Sequence, residues 1–169
     1  KFKAIIKSCE LGYDGKNQFI VNKNNIYSFE KMNLNNFIIE EFIAGREIQV
    51  AIMGNKKLGA IELKPKRKFY DYQAKYNSKA KTKHIIPVDL TKTQYKRLMD
   101  ISLKAHKLIG CAGVTRSDFK FYKNKFYLLE INTQPGMTKF SLVPEISAYK
   151  GINFINLLEL ILNDADTNK

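Results

Sequence analysis

Four polar side chains of types that bind metal ions and oxyanions fall close together in the last third of the chain: Arg116, Asp118, Glu130 and Asn132. They lie on two strand-like runs, residues 114–122 and 126–132, joined by a turn over residues 123–125. Because side chains alternate along a strand, pairing counted back from a three-residue turn places Asp118 opposite Glu130, and Arg116 opposite Asn132. The other face is apolar and is expected to join the core: Phe119, Phe121, Tyr127, Leu129 and Ile131.

Two carboxylates directly opposite each other on a sheet repel, so a bound cation would stabilise the Asp118–Glu130 pair. Together with Asn132 they offer the oxygen donors that Mg²⁺ takes, and Mg²⁺ held by few protein oxygens usually also holds substrate phosphates. The hairpin therefore predicts a site for a metal–nucleotide complex. Two alternatives stay open at this point: a register shifted by one residue, or a solvated face on which Arg116 neutralises the two carboxylates.

The loop that follows the hairpin contains Pro135 and Gly136. A Pro-Gly pair fixes a turn and lets the backbone approach a ligand, so the N–H groups of residues 132–138 could form an oxyanion hole. An ordinary turn is an equal alternative. Lys7 precedes a glycine-bracketed segment, residues 12–16, a combination that can hold phosphates, although abundant lysine makes a chance placement as easy.

Acidic residues around a hydrophobic strand form a further candidate site. Glu40 and Glu41 directly precede the apolar residues Phe42 and Ile43, and Glu47 follows after a turn. Such carboxylates can receive the amino and hydroxyl groups of adenine and ribose. Solvated charges at a sheet edge are the alternative interpretation of the same residues.

Hydrophobic periodicity predicts the elements that must position these residues. Strands are expected at residues 2–6, 19–21, 37–43, 47–53 and 58–63, with a long loop over residues 69–82. A helix is expected from Thr91, which forms a capping box with Gln94, to Ile109 before Gly110. The expected buried face of this helix is apolar: Leu98, Ile101, Ala105 and Leu108.

Two further helices are predicted near the C-terminal end, one opened by Pro144 and an amphipathic one over residues 154–162. His106 falls on a surface-like helix position, and Cys9 and Cys111 are interpreted as buried fillers. The order of hairpins, helix, hairpin and helices predicts an α+β fold with mostly antiparallel sheets.

The composition limits the class of protein. The 169 residues are 44% hydrophobic, enough for one core or two small lobes, and no run approaches the ~18 apolar residues of a membrane span. Two cysteines indicate a reducing compartment rather than a disulfide scaffold. The net charge of +13 invites a nucleic-acid interpretation, but it is mostly Lys, whereas base readout favours Arg. We interpret it as solvated surface. The absence of an initial Met suggests a fragment.

From about residue 37 to the end, the sequence resembles the C-terminal part of the D-alanine–D-alanine ligases of the ATP-grasp superfamily. The stretches that carry this resemblance are residues 40–42, 45–47, 69–76, 116–118, 128–133, 135–138 and 141–144. The most specific are Tyr-Asp-Tyr-Gln-Ala-Lys-Tyr and Asn-Thr-Gln-Pro-Gly-Met-Thr. The resemblance implies an ATP-grasp fold that lacks the family's N-terminal domain. Residues 1–60 would belong to the central nucleotide-binding subdomain, and residues 61–169 to the C-terminal catalytic subdomain.

The resemblance implies a cytoplasmic enzyme that joins two D-alanines through an acyl phosphate in the synthesis of peptidoglycan precursors. Two Mg²⁺ or Mn²⁺ ions would be held by Asp118, Glu130 and Asn132. ATP would be contacted by Lys7, Glu40, Glu41, Phe42, Ile43, Glu47, Phe69, Lys75 and Leu129. The catalytic groups would be Arg116, Gly136, Tyr76 and Ser141, with Tyr76 on a lid that excludes water.

Within the same resemblance, D-alanine would be bound by Ser141, Leu142 and Gly136. The full-length protein would be a homodimer, with neither a membrane nor a nucleic acid as a partner.

One segment departs from the ligase pattern. Residues 10–16 read Glu-Leu-Gly-Tyr-Asp-Gly-Lys and lack the serines of the family's phosphate loop. They resemble the carboxyaminoimidazole-ribonucleotide synthases, another ATP-grasp branch. A ligase of that type is therefore an alternative function, although Ser141 and Leu142 argue against it. A non-catalytic module that binds nucleotides or polyanions is the third hypothesis.

Overall fold

The computed structural model describes residues 3–10, 17–64, 82–138 and 140–165, and the chain divides into two compact units. The first unit comprises Lys1–Ala44 and Pro65–Lys83, and the second comprises Gly45–Lys64 and His84–Lys169. The predicted boundary between family subdomains at residue 60 stays a prediction. The compact units divide at Ala44 because the strands that follow it pair with strands from much later in the chain.

The first unit contains a three-stranded antiparallel sheet in the order β2-β1-β3. Its strands are β1 (Lys3–Ser8), β2 (Gln18–Asn22) and β3 (Phe37–Glu41). Ala4 and Ile6, which alternate along β1, are buried together with Val21 of β2. Two short 3-10 helices, Ile26–Phe29 and Leu34–Asn36, lie between β2 and β3 in the chain.

The second unit contains a five-stranded sheet in the order β6-β5-β4-β7-β8. Its strands are β4 (Arg46–Met53), β5 (Lys56–Lys64), β6 (Lys83–Ile85), β7 (Val114–Tyr122) and β8 (Lys125–Asn132). The pairs β4–β5, β4–β7 and β7–β8 are antiparallel. Three residues are too few to show a period, so β6 is the strand that the sequence pattern does not predict. The two sheets and the helices confirm the α+β class.

Helix α1 (Lys92–Leu108) begins and ends as predicted. Thr91 Oγ1 accepts from the Gln94 N–H at 3.2 Å, and Gln94 Oε1 accepts from the Thr91 N–H at 2.9 Å, which completes the capping box. The predicted buried face is wrong in part, because Leu108 is 74% exposed. The residues of α1 that are buried are Leu98, Met99, Ser102 and His106.

The main core lies between α1 and the sheet. Ile48, Val50 and Ile52 alternate along β4 and pack with Phe119 of β7 and Leu98 of α1. Phe119 is fully buried and meets the Phe126 ring edge to face, with the ring centroids 6.3 Å apart. Burying such side chains contributes roughly 1.5–3 kcal/mol each, so this layer fixes the position of β7.

Helices α2 (Leu142–Tyr149) and α3 (Phe154–Asp164) complete the second unit, and α2 packs against β5. Pro144 is the third residue of α2 rather than its first, because Ser141 takes the cap position. Cys9 is exposed and Cys111 is half-buried, so their interpretation as buried fillers is wrong. No helix within the described ranges has both the length and the apolar character needed to cross a membrane.

Candidate functional site

The hairpin of β7 and β8 brings the four candidate residues together in the predicted register. Asp118 pairs with Glu130, and Arg116 pairs with Asn132. Directly opposed residues of an antiparallel pair share a face, so the four side chains lie on the same side of the sheet. The alternative of a register shifted by one residue is thereby excluded.

The turn of the hairpin and the pairing next to it differ from the prediction, although the register at the site is the same. The turn has two residues, Lys123 and Asn124, with φ of 47° and 60°, and Tyr122 pairs with Lys125 rather than with Phe126. Positive φ at both positions is typical of a type I′ turn, whose twist matches that of the flanking strands. A β-bulge that leaves Leu129 without a cross-strand partner then restores the register at the site.

The bulge also changes the predicted apolar face. Tyr127 pairs with Lys120 and therefore lies on the polar face, not in the core. Leu129 is 39% exposed, so its assignment to the core is wrong as well. Phe119 is buried as predicted. Leu129 stays a predicted nucleotide contact, and its position beside Glu130 is compatible with that role.

Arg116 and Asp118 form a bidentate ion pair. Arg116 Nε donates to Asp118 Oδ1 at 2.8 Å, and Arg116 Nη2 donates to Asp118 Oδ2 at 3.0 Å. Their side chains are 12% and 13% exposed. Two charge-assisted bonds in a planar fork are among the stronger polar contacts in proteins. Arg116 therefore neutralises Asp118 in this structure, which agrees only in part with the alternative of a solvated face on which Arg116 neutralises both carboxylates.

The donor set nevertheless fits a hard divalent cation. Asp118 and Glu130 supply carboxylate oxygens and Asn132 an amide oxygen on one face, which is the chemistry that Mg²⁺ prefers. Within the described part of the chain, no group of three or more His, Cys, Asp or Glu side chains could hold a metal ion. Asn132 Oδ1 also accepts from the Gln134 N–H at 3.0 Å, which fixes the orientation of its amide.

The Pro-Gly loop and the start of α2 are joined through Ser141. Its Oγ accepts from the Thr138 N–H at 2.9 Å and lies 2.9 Å from Thr138 Oγ1, so it forms no side-chain cap on α2. A Cβ built on Gly136 would stand 3.1 Å from Ser141 Oγ. Gly136 and Ser141, both predicted site residues, thus lie close together, and Leu142, which follows Ser141, is buried.

In the first unit, Lys7 Nζ forms an ion pair with the Glu40 carboxylate. The structure therefore brings together two predicted nucleotide contacts from β1 and β3. Glu41 is exposed and Ile43 is half-buried. The Phe42 ring lies below Lys3 Nζ, which is 3.5 Å from the ring centroid.

In the second unit, Glu47 contacts a lysine that the sequence analysis missed. Lys120 Nζ donates to Glu47 Oε2 at 2.9 Å, on the face that carries Asp118. Gln49, also missed, pairs with Asp118 and is 2% exposed. Its Oε1 has no hydrogen-bond partner among the described residues. The sequence feature that could have identified Lys120 is its position two residues after Asp118, which places both side chains on one face of β7.

Three predicted site residues of the long loop, Phe69, Lys75 and Tyr76, lie outside the described residues. Their roles stay predictions, as do the roles assigned to the other site residues.

Comparison with known proteins identifies the family. Residues 20–163 match the family model described as D-ala D-ala ligase C-terminus. The D-alanine–D-alanine ligase of Pelagibacter ubique is 61% identical over 171 residues, which cover 100% of this chain and 56% of that protein. The ligase of Rickettsia typhi is 50% identical over 131 residues, covering 76% of this chain and 40% of that protein. The chain thus spans about half the length of these curated relatives.

A solved structure has the same fold. The D-alanine–D-alanine ligase from Bacillus anthracis complexed with ATP superposes with a TM-score of 0.77 at 30% identity, over 96% of this chain and 53% of that chain. This match confirms the expected ATP-grasp fold. The Pelagibacter match covers the whole chain and so includes the divergent residues 10–16. This chain therefore belongs to the family of D-alanine–D-alanine ligase C-terminal regions.

Proposed function

We propose that the protein containing this chain is an ATP- and Mg²⁺-dependent D-alanine–D-alanine ligase that forms an acyl phosphate during the synthesis of peptidoglycan precursors. The observation that carries the proposal is the shared polar face of Arg116, Asp118, Glu130 and Asn132, which is followed along the chain by the loop in which Gly136 lies close to Ser141. The family membership and the ATP-bound structural relative support it.

In this proposal Asp118, Glu130 and Asn132 hold the metal, with Mn²⁺ as a substitute for Mg²⁺. When bound there, a divalent cation would supply positive charge beside the phosphates of the nucleotide. Arg116 presents a planar fork of N–H donors on the same face, suited to an anionic reacting group. Both Asp118 oxygens accept from Arg116 in this structure. To bind a metal, Asp118 would have to contact Arg116 and the metal at the same time, or release Arg116.

The loop and the start of α2 would bind the second D-alanine. The N–H groups at a helix start have no intrahelical partners and favour anions such as a carboxylate. The Ser141 hydroxyl, held by Thr138, would donate to that carboxylate. Leu142 is buried, so its backbone rather than its side chain would meet the substrate. The Gly136 N–H would donate to the developing oxyanion.

The nucleotide contacts follow the same assignment. Lys7 would bind phosphate, the segment from Glu40 through Glu41 and Phe42 to Ile43 would line the adenine pocket, and Glu47 would bind ribose. The remaining contacts are Phe69, Lys75 and Leu129, with Tyr76 on the lid. A cytoplasmic location and a homodimer of the full-length protein are part of this proposal.

The experiment is ADP release by the full-length gene product that contains this chain. We expect release to require ATP, Mg²⁺ and D-alanine together, with D-alanyl-D-alanine as the product. L-Alanine serves as the matched control for the substrate. Aminoimidazole ribonucleotide with bicarbonate tests the other ATP-grasp activity. ADP release that D-alanine does not stimulate would contradict the proposal.

A further inference from the structure

Lys120 and Glu47 form a cross-strand ion pair. The proposed function assigns a role to Glu47 but none to Lys120. The residues pair between β7 and β4, and Lys120 Nζ donates to Glu47 Oε2 at 2.9 Å. The two side chains are only 24% and 16% exposed. A half-buried, charge-assisted hydrogen bond fixes side-chain geometry better than an ion pair on the open surface.

The pair lies on the face of the candidate site. Lys120 is two residues from Asp118 on β7, and Glu47 is two residues from Gln49, which pairs with Asp118. Side chains two residues apart on a strand point to the same side of the sheet. Glu47 and Lys120 are therefore the next polar row along the face that carries Asp118.

The ion pair leaves Glu47 able to accept more hydrogen bonds. A carboxylate has two oxygens with about four lone-pair sites, and the contact with Lys120 is made through Oε2. A ribose hydroxyl is a neutral donor that needs an acceptor in a fixed place. The geometry of the ion pair decides where the Glu47 carboxylate stands.

We propose that Lys120 is a positioning residue that holds the Glu47 carboxylate toward the ribose hydroxyls of the nucleotide. Lys120 thereby sets the preference of the site for ribonucleotides over deoxyribonucleotides. This inference rests on the proposed function, in which Glu47 binds ribose. Lys120 acts through Glu47 and does not itself need to touch the nucleotide.

The test measures the binding of ATP, 2′-deoxyATP and 3′-deoxyATP to the full-length protein by calorimetry with Mg²⁺. In the wild type, at least one analogue binds about tenfold more weakly than ATP, because it lacks a hydrogen bond to a charged acceptor. In Lys120→Met this difference falls below about threefold, mainly through weaker ATP binding, while the KM for D-alanine is unchanged. Lys120→Arg, which keeps the charge, retains the preference.

Control variants separate positioning from a merely structural role. Lys125→Met removes an exposed lysine from the neighbouring strand β8 and leaves the preference intact. Glu47→Gln loses the preference, and adding Lys120→Met to it produces no further loss. If Met at position 120 prevents folding, Lys120→Gln removes the charge with a polar side chain that is one atom shorter, and it gives the same readout.

The outcomes distinguish this inference from the proposed function. A wild-type protein that does not bind ATP overturns the proposed function and the role of Lys120 with it. If the wild-type protein binds ATP but does not prefer it over the deoxy analogues, only the role of Lys120 is overturned. The same holds if the Lys120→Met variant keeps the preference of the wild type.

Discussion

Arg116 and Asp118, two residues apart on β7, are joined by two parallel hydrogen bonds of 2.8 and 3.0 Å. The spacing places both side chains on one face, and partial burial makes the pair more than a surface contact. An anionic ligand of Arg116 and a cationic ligand of Asp118 would each draw on groups that already bind each other. In the proposed function, ligand binding and the state of this ion pair would therefore be coupled.

Asp118→Asn is expected to weaken the binding of ATP in the presence of Mg²⁺ by at least about tenfold, because the proposed metal site would lose one of its carboxylates. In excess EDTA the variant should bind ATP no more weakly than the wild type, because it frees Arg116 for an anionic ligand. Titration of ATP with and without the metal measures the difference. Asp100→Asn is the matched control, since Asp100 is an exposed carboxylate of α1 paired with Lys57 and Lys96. Equal losses in both variants would contradict the assignment.

Gly136→Ala is expected to destabilise the protein by about 1 kcal/mol, because the added Cβ would displace a hydroxyl that is already bonded. That Cβ would lie 3.1 Å from Ser141 Oγ, and two bonds to Thr138 hold this oxygen. Ser141→Ala removes the oxygen, so Gly136→Ala should cost less in that background. Urea unfolding of the four proteins measures the coupling. Additive effects would show that the two residues are independent.

The buried His106 is expected to make stability depend on pH. Burial lowers its pKa below the ordinary value of 6.5; the nearby Asp164 opposes this shift, and Lys107 adds to it. As pH falls below 6.5 the unfolded chain takes up a proton that the folded protein does not, so stability decreases. The decrease ends below the folded pKa. His106→Gln should flatten this slope in urea unfolding across that range, and an unchanged slope would contradict its assignment to His106.

Gly45→Ala is expected to cost about 2 kcal/mol or more, since backbone must move to admit the side chain. Gly45 has a φ of +117°, and a Cβ there would stand 2.3 Å from the Phe121 carbonyl oxygen. Gly110→Ala is the control, because Gly110 also has a positive φ, +66°, but faces open space. It should cost only about 1 kcal/mol, from backbone strain alone. Similar melting temperatures for the two variants would contradict the steric argument.

The register of the site was predictable from the sequence, although the turn was not. A three-residue turn was expected, but Lys123 and Asn124 form a two-residue turn, and the bulge at Leu129 compensates for the missing residue. Counting from a turn gives the correct pairing only when such irregularities cancel. Bulges depend on local twist and packing, which the alternation of residue types does not record.

The buried face of α1 shows a second limit of the hydrophobic pattern. Ser102 and His106 are buried because Ser102 Oγ donates to the Leu98 carbonyl at 2.9 Å and His106 Nδ1 lies 2.8 Å from Thr115 Oγ1. A polar side chain can be buried when it is hydrogen-bonded. The partner of His106 lies outside the helix, so the helix sequence alone cannot reveal it.

The residue types of the hairpin were sufficient to find Arg116 and Asp118, but not Gln49 and Lys120. The positions of the last two matter only because β4 pairs with β7, and Lys120 follows its partner Glu47 by 73 residues. Pairing between strands so distant in sequence cannot be counted from any turn. It follows from the packing of the whole sheet.

The bulge at Leu129 also bears on how the turn of this hairpin can change. Moving Lys125 from the strand into the turn would pair Tyr122 with Phe126, and flattening the bulge would then keep Glu130 opposite Asp118. A two-residue turn with a bulge and a three-residue turn without one use the same number of residues. The hairpin can therefore exchange one form for the other without moving the carboxylates of the site.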